Sequence, residues 1–158
     1  MSERKEITKK LSALAEAYIN PNDDPRIYYA KEVTFDYATS HAVRVDFMKF
    51  KPINNTVSGI EKGDFYCYEV KSGEDDFNSG HGLNFIGDYN YIVTEAETYE
   101  KIKNKIPHYV GVLIPSSDPW RFLESVKKAK RKDREKPLPE MLLMMYRSAQ
   151  RDRDKTNH

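Results

Sequence analysis

The chain has 158 residues, 39% hydrophobic and 32% charged, with seven Gly and eight Pro. This is globular rather than disordered usage, enough for one domain with a buried core. A formal net charge of +1 excludes a bulk polycation, so affinity for nucleic acid must come from local patches, and the single Cys67 excludes an internal disulfide framework and a thiolate zinc site.

The N-terminus, MSERKEITKK, is charged and lacks the apolar core of a signal peptide. No apolar run approaches the length of a membrane span. These features predict a cytoplasmic protein without membrane association. Apolar residues at Ile7, Leu11, Leu14, Ala15 and Tyr18 mark one face of a first helix, which NPNDDP ends. Val33, Phe35 and Tyr37 alternate with polar residues and predict a strand between Ile27 and Tyr37. AVRVDFMKFK predicts a second strand, with Val45 and Phe47 on one side and Arg44, Asp46 and Met48 on the other. PINNTVSGIEKG reads as a long hairpin connection or flap, and DFYCYEVKS as a third strand.

A loop with a short helix follows from Gly73 to about Ile86, where Asp75 and Asp76 are the expected caps. DYNYIVT is a fourth strand and EAETYEKIKNKI a helix with Thr94 as candidate cap. HYVGVLIP is a fifth strand. DPWRFLESVKKAKRK reads as a helix with Asp118 as cap and Pro119 at its first position. LPEMLLMMYRSAQ reads as a last helix, its Met-rich face suited to a core or a dimer seam, and the tail RDRDKTNH as frayed. The order predicts a single α/β domain over 1–158 around a mixed sheet, with a basic helical extension from about residue 118.

The third strand raises a chemical question. Residues i and i+2 of a strand share a face, so Glu69 and Lys71 do. If the second and third strands pair, Asp46 comes near Glu69, and two converging carboxylates repel unless a positive charge lies between them. A hard divalent cation such as Mg²⁺ answers this, with Asp46 and Glu69 as ligands and Lys71 beside a bound water or a phosphate oxygen. The bland reading is a cross-strand salt bridge between Glu69 and Lys71, with Asp46 paired to Arg44.

RVDF followed by YEVKS resembles the PD-(D/E)XK nuclease superfamily, in which an acidic residue on one strand precedes D/E-x-K on the next. That resemblance implies an αβββαβ restriction-endonuclease-like core with a mixed central sheet and C-terminal helices. It implies catalysis by Asp46, Glu69 and Lys71, and a Mg²⁺ (or Mn²⁺) held by Asp46, Glu69 and the Val70 carbonyl. The run EVKSGEDDFNSGHGLNFIGDYNYIV is similar to the MmcB-like branch and its phage and prophage members, matching at Ser72, Asp76, Phe77, His81, Asn84, Asn90 and Tyr91. The resemblance covers roughly Leu11 to Pro115. Val45 stands where Pro is common, and a further acidic ligand is not evident. Glu16 points away from the apolar helix face, and Glu32 on the first strand is the better candidate.

DNA is the partner so implied, with His81 and Asn84 as contacts in the glycine loop. The run VKKAKRKDREK carries seven basic and two acidic residues. Lys127, Lys128, Lys130 and Arg131 either track a phosphate backbone or form a solvated helix face. The expected activity is metal-dependent hydrolysis of DNA in repair or phage genome processing. The alternatives are a catalytically silent DNA-binding module of the same fold and an interaction protein docking through its C-terminal helix. Two-strand cutting would favour a homodimer, which the sequence does not demand.

Overall fold

In the computed structural model, which describes residues 2–156, Ser2 caps α1 (Glu3–Ile19) by accepting the Lys5 amide. The other elements are β1 (Tyr28–Phe35), β2 (Val43–Lys51), α2 (Val57–Glu61), β3 (Asp64–Val70), α3 (Glu74–Asn78), β4 (Tyr89–Val93), α4 (Ala96–Ile102), β5 (Gly111–Pro115), β6 (Leu123–Lys127) and α5 (Leu138–Thr156), with a 3₁₀ turn at Lys103–Lys105. The strands form one mixed sheet in the order β1-β2-β3-β4-β5-β6. β1, β2 and β3 are antiparallel neighbours, β3, β4 and β5 are parallel, and β6 returns antiparallel to β5. The expected mixed α/β architecture is the observed one. Among the described residues, no helix is long and apolar enough to cross a membrane.

Helices cover both faces of the sheet. Leu11, Ala15 and Ile19 of α1 pack on Phe47, Tyr68, Val70, Val93 and Leu113. On the other face Met141 and Met145 of α5 pack on Val33, Val45, Met48, Phe65 and Cys67. Beside them Ile102 of α4 packs on Ile92, Val112 and Ile114. The Met-rich face of α5 is therefore core. Its turns beyond Gln150 remain helical to Thr156 instead of fraying; Asn157 and His158 lie outside the described residues.

Several sequence expectations need correction. The segment after Pro52 is not a flap but carries α2, whose cap Thr56 accepts the Gly59 amide. Val45 and Phe47 do not share a side: Val45 packs under α5 and Phe47 under α1, while Met48 joins Val45. The cause lies between the pairs Lys31↔Phe47 and Val33↔Val45, where Glu32 takes φ 52° and the pleat slips. Thr94 does not cap α4; its hydroxyl donates to the Lys71 carbonyl at 2.7 Å, and Glu95 holds the cap position.

The largest departure follows Pro115. Asp118 accepts the Trp120 amide at 3.0 Å in a local turn, Phe122 takes φ 60°, and the chain then forms β6 rather than a helix. Pairing along β5 buries Leu123 and satisfies an otherwise bare strand edge, which outweighs a good helix start. Residues 128–134 have no regular secondary structure, so the basic run has no helical face. Among the described residues one C-terminal helix stands where two were expected.

Candidate active site

The β2–β3 ladder ends at Phe47↔Tyr68. One step further in the same register sets Asp46 opposite Glu69, where the strands part. Two reciprocal bonds bridge the gap. The Asp46 amide donates to Glu69 Oε1 at 3.3 Å, and the Val70 amide donates to Asp46 Oδ2 at 2.9 Å. Each carboxylate thus replaces a carbonyl of the interrupted ladder.

The pairing is electrostatically costly. Burial pushes the Glu69 carboxyl up to about 10, and the Asp46 charge and a side-chain hydrogen bond with Asp46 act in the same direction; the Asp46 amide and the Lys71 charge oppose them. Without a cation, Glu69 keeps its proton at neutral pH. Glu69 is 5% exposed and Asp46 half-buried.

Lys71 follows the last residue of β3. Its amide still bonds the Val93 carbonyl at 2.9 Å, fixing the backbone, and the residue is 4% exposed. The ammonium donates to the His81 carbonyl and lies 3.7 Å from Asp76 Oδ1. Its ion-pair partner is Asp76, not Glu69, so the bland salt bridge expected within the E-x-K triplet is not the one formed. Asp76 also does not cap α3, as expected of it; Gly73 holds that position without a side-chain bond. Asp76 instead accepts the Ser72 amide at 2.9 Å, the Ser72 hydroxyl at 3.2 Å and Arg4 at 2.9 Å. Burial alone would raise the Asp76 carboxyl, but the Ser72 amide, Lys71, the Ser72 hydroxyl and Arg4 bring it below its ordinary value.

The glycine loop closes over this pair. Gly80 and Gly82 take φ of 76° and 79°. A Cβ on Gly82 would stand 2.7 Å from Glu69 Oε2 and 3.8 Å from Lys71 Nζ, so only glycine lets the backbone lie there. His81 meets Lys71 through its backbone, and its side chain is exposed. Asn84 ties the loop to β2 by donating to the Arg44 carbonyl at 3.4 Å.

Asp46 also opens to the α1 side, into a cleft of about 480 Å³ lined by Ser12, Glu16, Lys31, Glu32, Arg44 and Val70 among others. Glu16 does reach this cleft, off the packed face of its helix, and accepts from Tyr29 at 3.3 Å and Lys31 at 3.5 Å. Among the described residues no group of three or more His, Cys, Asp or Glu is placed to hold a metal ion. Asp46 and Glu69 therefore form a two-carboxylate oxygen site. That donor set fits Mg²⁺, which takes one or two carboxylates and fills its octahedron with water and substrate oxygens.

Asp46, Glu69, Val70, Lys71, His81 and Asn84 thus come together. The basic candidates do not join them. Arg131 pairs with Asp64 at 3.1 Å and approaches Asp88 at 3.6 Å, at the start of β3 and just before β4. Lys127 donates to the Pro107 carbonyl at 2.7 Å, and the Lys130 amide to the Tyr109 carbonyl at 2.9 Å. Lys128 and Lys130 are exposed near that same end. Five residues of strand separate Asp64 from Glu69, about 17 Å. The sequence reading missed Arg44 and Ser12 in the cleft and the role of Asp76; the Ser72–Asp76 spacing of four was the available signal.

No family model matches the chain, and no curated protein matches it. Among solved structures, a protein of unknown function from Silicibacter pomeroyi shares the fold with a TM-score of 0.56 at 17% identity, covering 100% of this chain and 96% of that one. At this identity the likeness shows the fold alone.

Proposed function

We propose that this chain hydrolyses phosphodiester bonds in DNA with a divalent metal ion. The observation that carries the reading is the meeting of Asp46 and Glu69 at the point where β2 and β3 part, with the Lys71 ammonium fixed beside them. Asp46 and Glu69 would hold Mg²⁺ or Mn²⁺, and the cation would replace the proton on Glu69. Bound there, the ion supplies a Lewis acid for a phosphoryl oxygen and an acidified water. Lys71 contributes a fixed positive charge for the oxygen that gains charge in the transition state. One of its three N–H groups goes to the His81 carbonyl and its charge faces Asp76, so donors remain for substrate. Asp76, held by Ser72 and Arg4, keeps the ammonium in place. Substrate enters from the cleft at Asp46, and the Gly80–Asn84 loop must shift for it to touch Lys71. The sequence resemblance makes DNA repair or phage genome processing the setting.

The burial of Glu69 and Lys71 favours a second reading, a DNA-binding module of the same fold that does not cut. Calorimetric titration with Mg²⁺ and Mn²⁺, on wild type and Glu69→Ala, separates the two when cleavage of duplex, single-stranded and branched DNA is followed on the same samples. Metal binding lost in the variant, together with metal-dependent cutting, supports hydrolysis. Metal binding without cutting of any substrate supports the module. Absence of metal binding in wild type, even with DNA present, leaves the two carboxylates as substitutes for ladder carbonyls.

A further inference from the structure

We infer that the nucleic-acid backbone is gripped by Arg44 and by the exposed stripe Arg147–Arg151–Lys155 of α5, with Tyr37 as a stacking platform, and not by the basic run at 127–131. The inference rests on the hydrolase reading for its substrate class.

Pairing separates Arg44 and Arg147 from the arginines of the C-terminal run. In the C-terminal run Arg131 and Arg134 pair with Asp88, Lys132 with Glu135, and Lys136 with Asp36 and Glu140. Their charge is spent inside the fold, and the exposed Lys128 and Lys130, which form no ion pair among the described residues, are set apart by lying at the far end of the sheet from Asp46. Arg44 and Arg147 are exposed, and neither guanidinium forms an ion pair among the described residues. An unpaired guanidinium is free to take a phosphate in bidentate fashion.

Position points the same way. Arg44 lines the cleft that Asp46 opens into. Its cross-strand partner is Thr34, and Thr34 lines the adjoining hollow together with Tyr37, Arg147 and Arg151. A continuous path therefore runs from Arg147 past Thr34 and Arg44 to Asp46. Spacing of four residues lines up Arg147, Arg151 and Lys155 along α5. Arg151 anchors this stripe to the outer edge of β1 by donating to the Lys31 and Glu32 carbonyls at 3.2 and 3.3 Å and pairs with Asp152 at 3.4 Å, which leaves Arg147 and Lys155 as its free charges among the described residues. The floor of the cleft is acidic, through Glu16, Glu32 and Asp46, so a polyanion is attracted at the rim and meets a cation at the floor. Tyr37 is 74% exposed in the same hollow. An exposed ring among arginines suits a base or sugar next to a bound phosphate.

The test is fluorescence anisotropy with a labelled 20-mer, single-stranded and as duplex, in EDTA so that nothing is cut, across a range of salt. Arg44→Gln/Arg147→Gln should lower affinity about tenfold and flatten the log–log salt slope on duplex by about two. Tyr37→Ala should weaken single-stranded binding with the salt slope unchanged. Thermal melts verify that each variant is folded. An unchanged slope and affinity in the double arginine variant overturns the inference, as does a larger loss from Lys128→Gln/Lys130→Gln. Cutting that persists at wild-type affinity in the arginine variant refutes this surface and leaves hydrolysis standing. Arginine-dependent binding without metal-dependent cutting refutes hydrolysis and leaves the surface standing. A wild-type protein that binds neither probe refutes both.

Discussion

The proton that burial keeps on Glu69 has a consequence for stability that can be measured without any substrate. The Glu69 carboxyl is raised from 4.5 to about 10 in the folded, metal-free protein, through burial first and the Asp46 charge second. The folded state therefore binds a proton that the unfolded chain gives up near pH 4.5. The stability due to this group is fully present below that pH and is lost progressively as pH rises toward 10. At pH 7 the loss is 2.5 units above the unfolded value at 1.36 kcal/mol each, about 3 kcal/mol. For a chain of this size that is roughly 6–12 °C in Tm. Glu69→Gln imitates the protonated form, since its amide can donate to Asp46 and its oxygen can accept the Asp46 amide. Urea or thermal unfolding of both proteins in EDTA, from pH 5.5 to 9, isolates the effect because all other titrations cancel in the difference. The variant should be the more stable at pH 8, and the gap should narrow toward pH 5. Parallel pH profiles would refute a protonated Glu69. Saturating Mn²⁺ at pH 8 should raise the wild-type Tm and leave the variant's nearly unchanged.

Three further outcomes are expected. Gly82→Ala forces a Cβ to 2.7 Å from Glu69 Oε2 at φ 79°, and should destabilise the fold by about 1–3 kcal/mol in urea unfolding while Gly73→Ala, with open space around it, costs less. Asp88→Ala removes a 1%-exposed carboxylate that accepts the Phe65 amide at 2.8 Å and pairs with Arg134, and should cost about 3–5 kcal/mol. Burial pushes the Cys67 thiol far up, so it should resist iodoacetamide at pH 8 in the native state and react only in denaturant, as read by mass spectrometry.

Local chemistry made much of the site legible. A strand period of two is enough to put Glu69 and Lys71 on one face, and continuing the antiparallel register of β2 and β3 is enough to bring Asp46 to Glu69. The alternating and helical hydrophobic patterns likewise announced α1, β1 to β5 and α5, because each must bury one face. The rest depended on partners distant in the chain. Helix-start residues at Asp118 and Pro119 could not reveal that β5 had an edge to be paired, and that pairing turned the following residues into β6. Charge counting could not reveal that Asp64 and Asp88 would take up the arginines of the basic run, some 17 Å from the site. The left-handed turn at Glu32 reversed the pleat and sent Val45 and Phe47 to opposite faces. Which residues meet at the candidate site was thus largely set by local spacing. Which charges stay free to meet a substrate was decided by the tertiary structure alone, since an ion pair depends on distance in space and not on separation along the chain.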